Sequence, residues 1–342
     1  MKIFKYFFFL LLIVFIAGSI YVATKEASYQ VEESRIYEVP PELLFEEISD
    51  YQTWQHWSWL NDPETQISFG DTTAGTGAVI YWDNAQVIDE GNLKTTSTEV
   101  YAGLVQQLSF DAGVADITGE MYWQLEPIEE GTRVTWGLRG DQNFKEKLAF
   151  TLRGDEISEL FRPIFTRGLE ALESRMRSKM EAYSINVNGV TQYGGGFYMY
   201  TTAAARLSEI PQRGAEMLER VNAFMQENEI SVNGNPFLIY HDRDLENGTA
   251  IFSAAIPTPS QVVPPAGSSV LNGYLPSQRV VKTTLRGNHK NSGQAWDQAR
   301  QYIQDNDLTL NRQGEAFEIF ITDPLEEVNP ALWVTEIYLP VQ

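Results

Sequence analysis

One acidic side chain interrupts the last apolar strand of the chain, and it is the strongest candidate for chemistry in the sequence. In a segment with the two-residue period of a strand, Glu336 shares a face with Val334 and Tyr338. A carboxylate among such neighbours needs a partner. That partner is either the polar or cationic group of a ligand or a structural ion pair. The candidates for an ion pair are Arg279, Lys282 and Arg286.

Other residue types that carry chemistry are sparse. The chain has no cysteine, which excludes disulfides, thiolate catalysis and cysteine zinc sites. Its three histidines, His56, His241 and His289, lie far apart and lack the spacing of metal ligands. No Gly-x-Ser-x-Gly motif is present. We therefore expect no metal and no cofactor, and we assign no catalytic residue.

Length and charge narrow the class of protein. With 342 residues the chain suits two domains of middling size. The formal net charge is −21, and basic residues are not clustered as phosphate binding requires. We therefore expect no nucleic-acid partner, and the acidity favours neutral or cationic ligands over anions.

The N-terminus has the composition of a membrane segment. Residues Tyr6–Thr24 carry no charge and follow Lys2 and Lys5. This is close to the roughly 20 apolar residues that cross a bilayer. Residues 1–25 are therefore predicted to be a transmembrane anchor or a cleaved signal peptide. Either alternative exports the remainder, so we expect a single-pass protein of the cell membrane with extracytoplasmic domains.

Residues 28–182 show the pattern of one α+β domain. A strand and a short helix are followed by several strands with glycine- and aspartate-rich turns, which indicates an antiparallel meander. Apolar residues at helical spacing from Ile157 to Met176 then predict a long amphipathic helix with Pro163 inside it.

This order resembles the SRPBCC superfamily, which includes polyketide cyclase-like and START-related proteins. The motifs that carry the resemblance are Val39–Phe45, Asp50 with Trp54 and Trp57-Ser58, Gly75–Gly77 with Trp82, and Gly131–Trp136. The resemblance implies a helix-grip fold with an apolar cavity. Trp57 is then a candidate ligand contact, with packing in the core or in a lid as the alternative.

Residues 183–342 contain an internal repeat. Gln226–Ile230 recurs as Gln304–Leu308, each time at the end of a helical pattern. Each helix is preceded by one strand and followed by two, of which the last ends in Pro257 or Pro340. The sequence therefore predicts two strand-helix-strand-strand units, at about 185–257 and 270–342, with a groove between their sheets.

Superposition of the two repeats on Pro257 and Pro340 compares Glu336 with its counterpart. Ser253 then stands opposite Glu336, and Ala255 opposite Tyr338. The duplicated scaffold therefore does not itself require an acid at this position. The smaller pair also leaves room in the groove.

The repeat resembles the GyrI-like family, also called the effector-binding domain of bacterial transcription activators. Its closing element is Pro330 and Trp333 with Thr335–Val341, supported by Asn235–Phe237 and Ala254–Pro257. The resemblance implies that Glu336 contacts cationic, lipophilic molecules. A family Gly-Pro-Tyr is replaced here by Gly287-Asn288-His289, which puts a role of that tyrosine in doubt.

These observations lead to a binding protein with two ligand cavities. The candidate ligand contacts are Glu336, Tyr338, Ser253, Trp296, His289 and, in the first domain, Trp57. For Trp296, core packing is the alternative. The expected ligand is a small lipophilic or cationic molecule. The resemblance to the GyrI-like family also implies an alternative function, which is hydrolysis of reactive lipophilic molecules with Glu336 as general base and Tyr338 or His289 assisting. No helix-turn-helix motif supports a transcription regulator.

Overall fold

The computed structural model describes residues 2–83, 88, 90–112, 115–154 and 156–342. The chain divides into two compact units, Met1–Ser178 and Lys179–Gln342. Each unit has its own antiparallel sheet, one of seven strands and one of eight. The predicted α+β class is therefore confirmed for both.

The first unit begins with the apolar helix and continues into the sheet. Its elements are α1 (Lys2–Thr24), β1 (Ser28–Tyr37), α2 (Pro41–Ser49), α3 (Tyr51–Trp54), β2 (Gln66–Phe69), β3 (Val79–Asp83), β4 (Gly91–Glu99), β5 (Gly103–Asp111), β6 (Asp116–Ile128), β7 (Gly131–Asp141), α4 (Phe144–Arg153) and α5 (Ile157–Glu181). The strand order is β1-β7-β6-β5-β4-β3-β2. The meander and the long closing helix agree with the sequence pattern, which did not indicate β2, α3 or α4.

Local sequence explains where the short helices begin. Pro41 occupies the first turn of α2, where its missing N–H costs nothing. The Asp50 side chain accepts a hydrogen bond from the Gln52 N–H at the start of α3. Asn143 and Glu146 form a reciprocal capping box on α4.

Tryptophan rings occupy the core between the sheet and α5. Trp123 and Trp136 stack with centroids 4.2 Å apart, and Trp54 and Trp57 lie 5.1 Å apart. All four rings are buried. α5 approaches this cluster at Gly168, where an added Cβ would lie 2.5 Å from Trp136 Cζ3. A glycine at this helical position therefore lets α5 pack closely on the ring.

The second unit is one continuous sheet covered by two helices. Its elements are β8 (Ser184–Tyr193), β9 (Gly196–Arg206), α6 (Ile210–Glu227), β10 (Phe237–Asp244), β11 (Thr249–Thr258), β12 (Leu271–Leu275), β13 (Gln278–Arg286), α7 (Ser292–Asp305), β14 (Ala316–Phe320) and β15 (Val334–Pro340). The strand order is β12-β9-β11-β10-β14-β15-β13-β8.

The two repeats end their helices in the same way. After α6, Glu229 has φ 53°, and after α7, Asp307 has φ 55°. The next N–H groups, of Ile230 and Leu308, then donate to the carbonyls of Met225 and Ile303. This is the Schellman arrangement, here with acidic residues at the left-handed position that usually holds glycine. The repeated sequence motif therefore codes for a repeated helix end.

The edge strands differ from the predicted layout. The sequence pattern did not separate β8 or β12 from the repeats. β8 precedes β9 of the first repeat but pairs with β13 of the second, whereas β12 precedes β13 of the second repeat but pairs with β9 of the first. The edge strand beside each repeat therefore comes from the sequence of the other repeat. This exchange of edge strands holds the two repeats together.

The contact between α5 and Trp136 makes Gly168→Ala informative. In an exposed helix alanine would stabilise by about 1 kcal/mol. Here the added methyl meets the buried ring, and we expect a loss of about 1 to 3 kcal/mol in the free energy of unfolding. Denaturant unfolding followed by tryptophan fluorescence measures it. Gly293→Ala in α7 is the matched control, because its added Cβ would meet nothing within 4 Å. A stabilised Gly168→Ala variant would contradict the packing argument.

Candidate functional site

The two faces of the eight-stranded sheet have different neighbours. On one face, Leu238, Val281 and Ile337 pack with residues of α6 and α7 in a common core. We call this the helix face. On the other face, Phe237, Phe317 and Tyr338 form a separate cluster that contains no residue of either helix. We call this the aromatic face.

Six rings form a connected row across the aromatic face. In order along the row they are Tyr200, Tyr198, Phe237, Phe317, Tyr338 and Tyr193, with centroid separations between 4.7 and 6.3 Å. Phe237 and Phe317 are buried, whereas Tyr193, Tyr198 and Tyr200 are partly exposed. Tyr338 is buried as well. The row is therefore enclosed at its centre and partly exposed at both ends, and neither α6 nor α7 contributes a residue to it.

Glu336 lies on this face with two polar partners. Its Oε1 is 2.7 Å from Lys282 Nζ, and its Oε2 accepts a 2.5 Å hydrogen bond from the Tyr338 hydroxyl. Lys282 pairs with Tyr338 in the β13–β15 register, so the three side chains project together. Burial and the neighbouring Glu336 raise the pKa of Tyr338 above its usual range, which keeps the phenol protonated as a donor. Of the ion-pair candidates, Lys282 is thus the partner present.

The register supports the comparison of Glu336 with Ser253. Ser253 pairs with Ile239 in the first repeat, and Glu336 pairs with Ile319 in the second. Ile239 and Ile319 are themselves equivalent, because each lies two residues after Phe237 or Phe317. The acid therefore occupies the position that holds a serine in the other half.

Ser253 is fully buried within a polar chain that the sequence did not reveal. Its hydroxyl lies 2.8 Å from Thr202 Oγ1 and 2.7 Å from His241 Nε2. His241 Nδ1 is in turn 3.3 Å from Glu315 Oε2. His241 lies two residues after Ile239, the partner of Ser253, and the β10–β11 register shifts at this point, between Tyr240 and Asp242. A bulge of this kind leaves no signal in hydrophobic periodicity.

His289 lies on the helix face, away from Glu336. Its Nδ1 is 2.7 Å from Thr335 Oγ1, and its ring stacks on Trp333 at 4.8 Å. Thr335 and Glu336 are adjacent in β15 and point to opposite faces. The structure therefore does not bring His289 to the carboxylate that it was predicted to assist. Tyr338 is the phenol in contact with Glu336.

Trp296 also lies on the helix face, where it meets an acid that sequence reasoning missed. Its indole N–H donates to Glu318 Oε2 at 3.1 Å, and the Tyr240 hydroxyl donates to Oε1 at 2.6 Å. Burial raises the pKa of Glu318. The signal was available, because Glu318 interrupts an apolar strand just as Glu336 does. Trp296 thus belongs to the core, which was the alternative to its lining the groove.

Trp57 belongs to the core of the first unit. Only 2% of it is exposed, and it lies 5.9 Å from both Trp123 and Trp136. Of the six predicted ligand contacts, Glu336, Tyr338 and Ser253 are thus on the aromatic face. Trp296, His289 and Trp57 are elsewhere. Contact with a ligand remains a prediction for all of them.

Two protein families match successive parts of the chain. Residues 28–177 match the family described as polyketide cyclase / dehydrase and lipid transport. Residues 209–342 match the GyrI-like small molecule binding domain. Both resemblances found in the sequence are confirmed, in the predicted order. No curated protein matches the chain.

Several solved structures are similar to part of the chain at low identity. The EcmrR C-terminal domain is 16% identical with a TM-score of 0.38, covering 47% of this chain and 98% of that one. EcmrR in a complex with DNA is 14% identical with a TM-score of 0.41, covering 59% and 86%. Protein MLL2253 from Mesorhizobium loti is 15% identical with a TM-score of 0.34, covering 44% and 98%. We draw no functional inference from these similarities.

The environment of His289 predicts a pH dependence of stability. Burial lowers the pKa of His289 from 6.5 to about 4. As pH falls from 6.5 to about 4, His289 becomes protonated in the unfolded chain but stays neutral in the folded chain. The free energy of unfolding therefore decreases. The slope contributed is at most about 1.4 kcal/mol per pH unit. We expect thermal unfolding midpoints of His289→Gln to fall less than those of wild type between pH 6.5 and 4. His56→Gln, at an exposed position, should follow wild type. Equal slopes for all three proteins would refute the assignment.

Proposed function

Because the chain joins a polyketide cyclase-like domain to a GyrI-like small molecule binding domain, we propose that it binds a lipophilic, positively charged molecule on the aromatic face. The observation that carries the proposal is the position of Glu336. Its carboxylate is partly exposed and lies beside the row of aromatic rings. The equivalent residue of the first repeat is Ser253, which carries no charge.

The chemistry of the face fits such a ligand. Aromatic rings attract cations through their π faces and remove apolar groups from water. A carboxylate adds a charge-assisted contact, which is stronger than a neutral hydrogen bond. Phe237 and Phe317 are buried in the centre of the sheet, while the tyrosines at both ends of the row keep part of their surface in water. The face is therefore prepared for a ligand with a broad apolar body and one charge.

Hydrolysis of a lipophilic substrate is a weaker alternative. Glu336 would have to act as a general base, and the described residues in contact with it are Lys282 and Tyr338. A lysine ion pair opposes proton abstraction, because removing the negative charge of Glu336 would leave Lys282 unpaired. Binding without catalysis therefore accounts better for the arrangement.

We further propose that α1 anchors the protein in the cell membrane with both domains outside the cytoplasm. Ile3–Thr24 is long and apolar enough to cross a bilayer, and its most apolar 18 residues have a mean hydropathy of 2.5. Its 22 residues extend about 33 Å as a helix, which is close to the thickness of the hydrocarbon core. A signal sequence meets the same criteria, so length and composition alone do not choose between them.

Binding is tested with two ions of the same shape and opposite charge, tetraphenylphosphonium and tetraphenylborate. For the full-length protein in nanodiscs of zwitterionic lipid, calorimetry should show that Glu336→Gln weakens tetraphenylphosphonium binding roughly tenfold. The same substitution should not weaken tetraphenylborate binding. Glu246→Gln, in the exposed turn between β10 and β11, makes the same charge change and should behave as wild type. Equal phosphonium affinity in wild type and Glu336→Gln would rule out charge recognition by this residue.

Anchoring is tested by fractionation of cells that express the chain with a tag after Gln342. An anchored protein stays full length, sediments with membranes in alkaline carbonate and is released by detergent. External protease should digest it in spheroplasts if the domains are outside the cytoplasm. A soluble product shortened by about 19 residues would show cleavage of a signal peptide instead.

A further inference from the structure

Lys282 makes the two contacts that a bound cation would make. Its ammonium group is 2.7 Å from Glu336 Oε1 and 5.8 Å from the centroid of the Tyr338 ring. Carboxylate and aromatic face are the recognition elements expected for a lipophilic cation. A cation of the ligand and the Lys282 ammonium therefore compete for one position.

The internal symmetry of the domain marks this pair as an addition. Lys282 pairs with Tyr338 in the second repeat, and Tyr200 pairs with Ala255 in the first. Lys282 thus takes the place of a tyrosine, as Glu336 takes the place of Ser253. The first half of the sheet carries the same strands without either charge, so the fold does not need the ion pair.

We infer that Lys282 is an internal counter-cation, which occupies the cation position of the aromatic face and is displaced when a ligand binds. This inference rests on the proposed binding of cations by Glu336. Its consequence is a restriction on the ligand. Only a cation whose contacts with the aromatic face are more favourable in free energy than those of the Lys282 ammonium will displace it.

The partial exposure of the pair gives Lys282 a route to solvent. Lys282 and Glu336 keep 29% and 20% of their side-chain surface exposed. On displacement the Lys282 ammonium regains hydration, and the cation of the ligand takes its place beside Glu336, so neither charge is left buried and unpaired. The flexible stem of Lys282 lets its ammonium group move into solvent while β13 stays in place.

Hydration then selects the class of ligand. A compact ammonium group is strongly hydrated and gains little by replacing Lys282. A cation with delocalised or shielded charge loses little hydration on binding and adds apolar contact with the rings. The face should therefore take aryl phosphonium, quaternary ammonium or aromatic amidinium compounds and reject small primary amines and metal ions.

The test compares substitutions of Lys282 in the full-length protein in nanodiscs, with tetraphenylphosphonium as the probe. We expect Lys282→Gln to raise the affinity for this cation roughly threefold to tenfold. Lys282→Arg, which retains the charge and pairs with Glu336 through two N–H donors, should not raise it. Lys290→Gln is the control for net charge, because Lys290 is exposed and pairs with Glu181 instead.

A double substitution separates competition from repulsion. If Lys282 acts by occupying Glu336, the gain from Lys282→Gln should shrink to less than twofold in a Glu336→Gln background. An undiminished gain in that background would show simple repulsion and overturn the inference, as would an equal gain from Lys290→Gln or no gain at all. Wild-type affinity of Glu336→Gln alone would instead show that the proposed function has failed.

Discussion

The second domain depends on the pairing of β10 with β14 at its centre. Phe237 lies opposite Ile319, and Ile239 lies opposite Phe317, so the two repeats meet about an approximate two-fold axis. Apart from each other, each half would expose an unpaired strand edge. Joined, they bring Phe237 and Phe317 together and make one aromatic surface from two smaller ones. A slip of one residue between the two strands would place Phe237 and Phe317 on opposite faces of the sheet.

The same alternation gives two glutamates of neighbouring strands opposite environments. Glu318 in β14 points to the helix face, where it is buried and bound by two neutral donors, Tyr240 and Trp296. Glu336 in β15 points to the aromatic face, where Lys282 and Tyr338 hold it near solvent. One acid thus anchors α7 to the sheet. The other is placed for recognition at a position where the fold requires no charge.

The first domain shows how an aromatic sequence can serve structure. Trp57, Trp123 and Trp136 contact one another between the sheet and α5, and Gly168 lets the helix approach them. Of these residues, Trp57 was the predicted ligand contact. Its contacts with the other rings place it in the core, so the polar recognition proposed for this protein is assigned to the second domain.

Composition and periodicity, which are local properties of a chain, were enough to predict the two domains, their order, the repeat and the face of Glu336. Repetition even located Ser253 as the counterpart of Glu336. Which of three basic residues pairs with Glu336 depends instead on the β13–β15 register. The folded arrangement of strands also placed His289 on the opposite face and His241 beside Ser253, at a bulge in β10. These contacts depend on which strands pair with each other. The periodicity of a single segment does not show which strand becomes its neighbour, least of all when edge strands are exchanged between repeats.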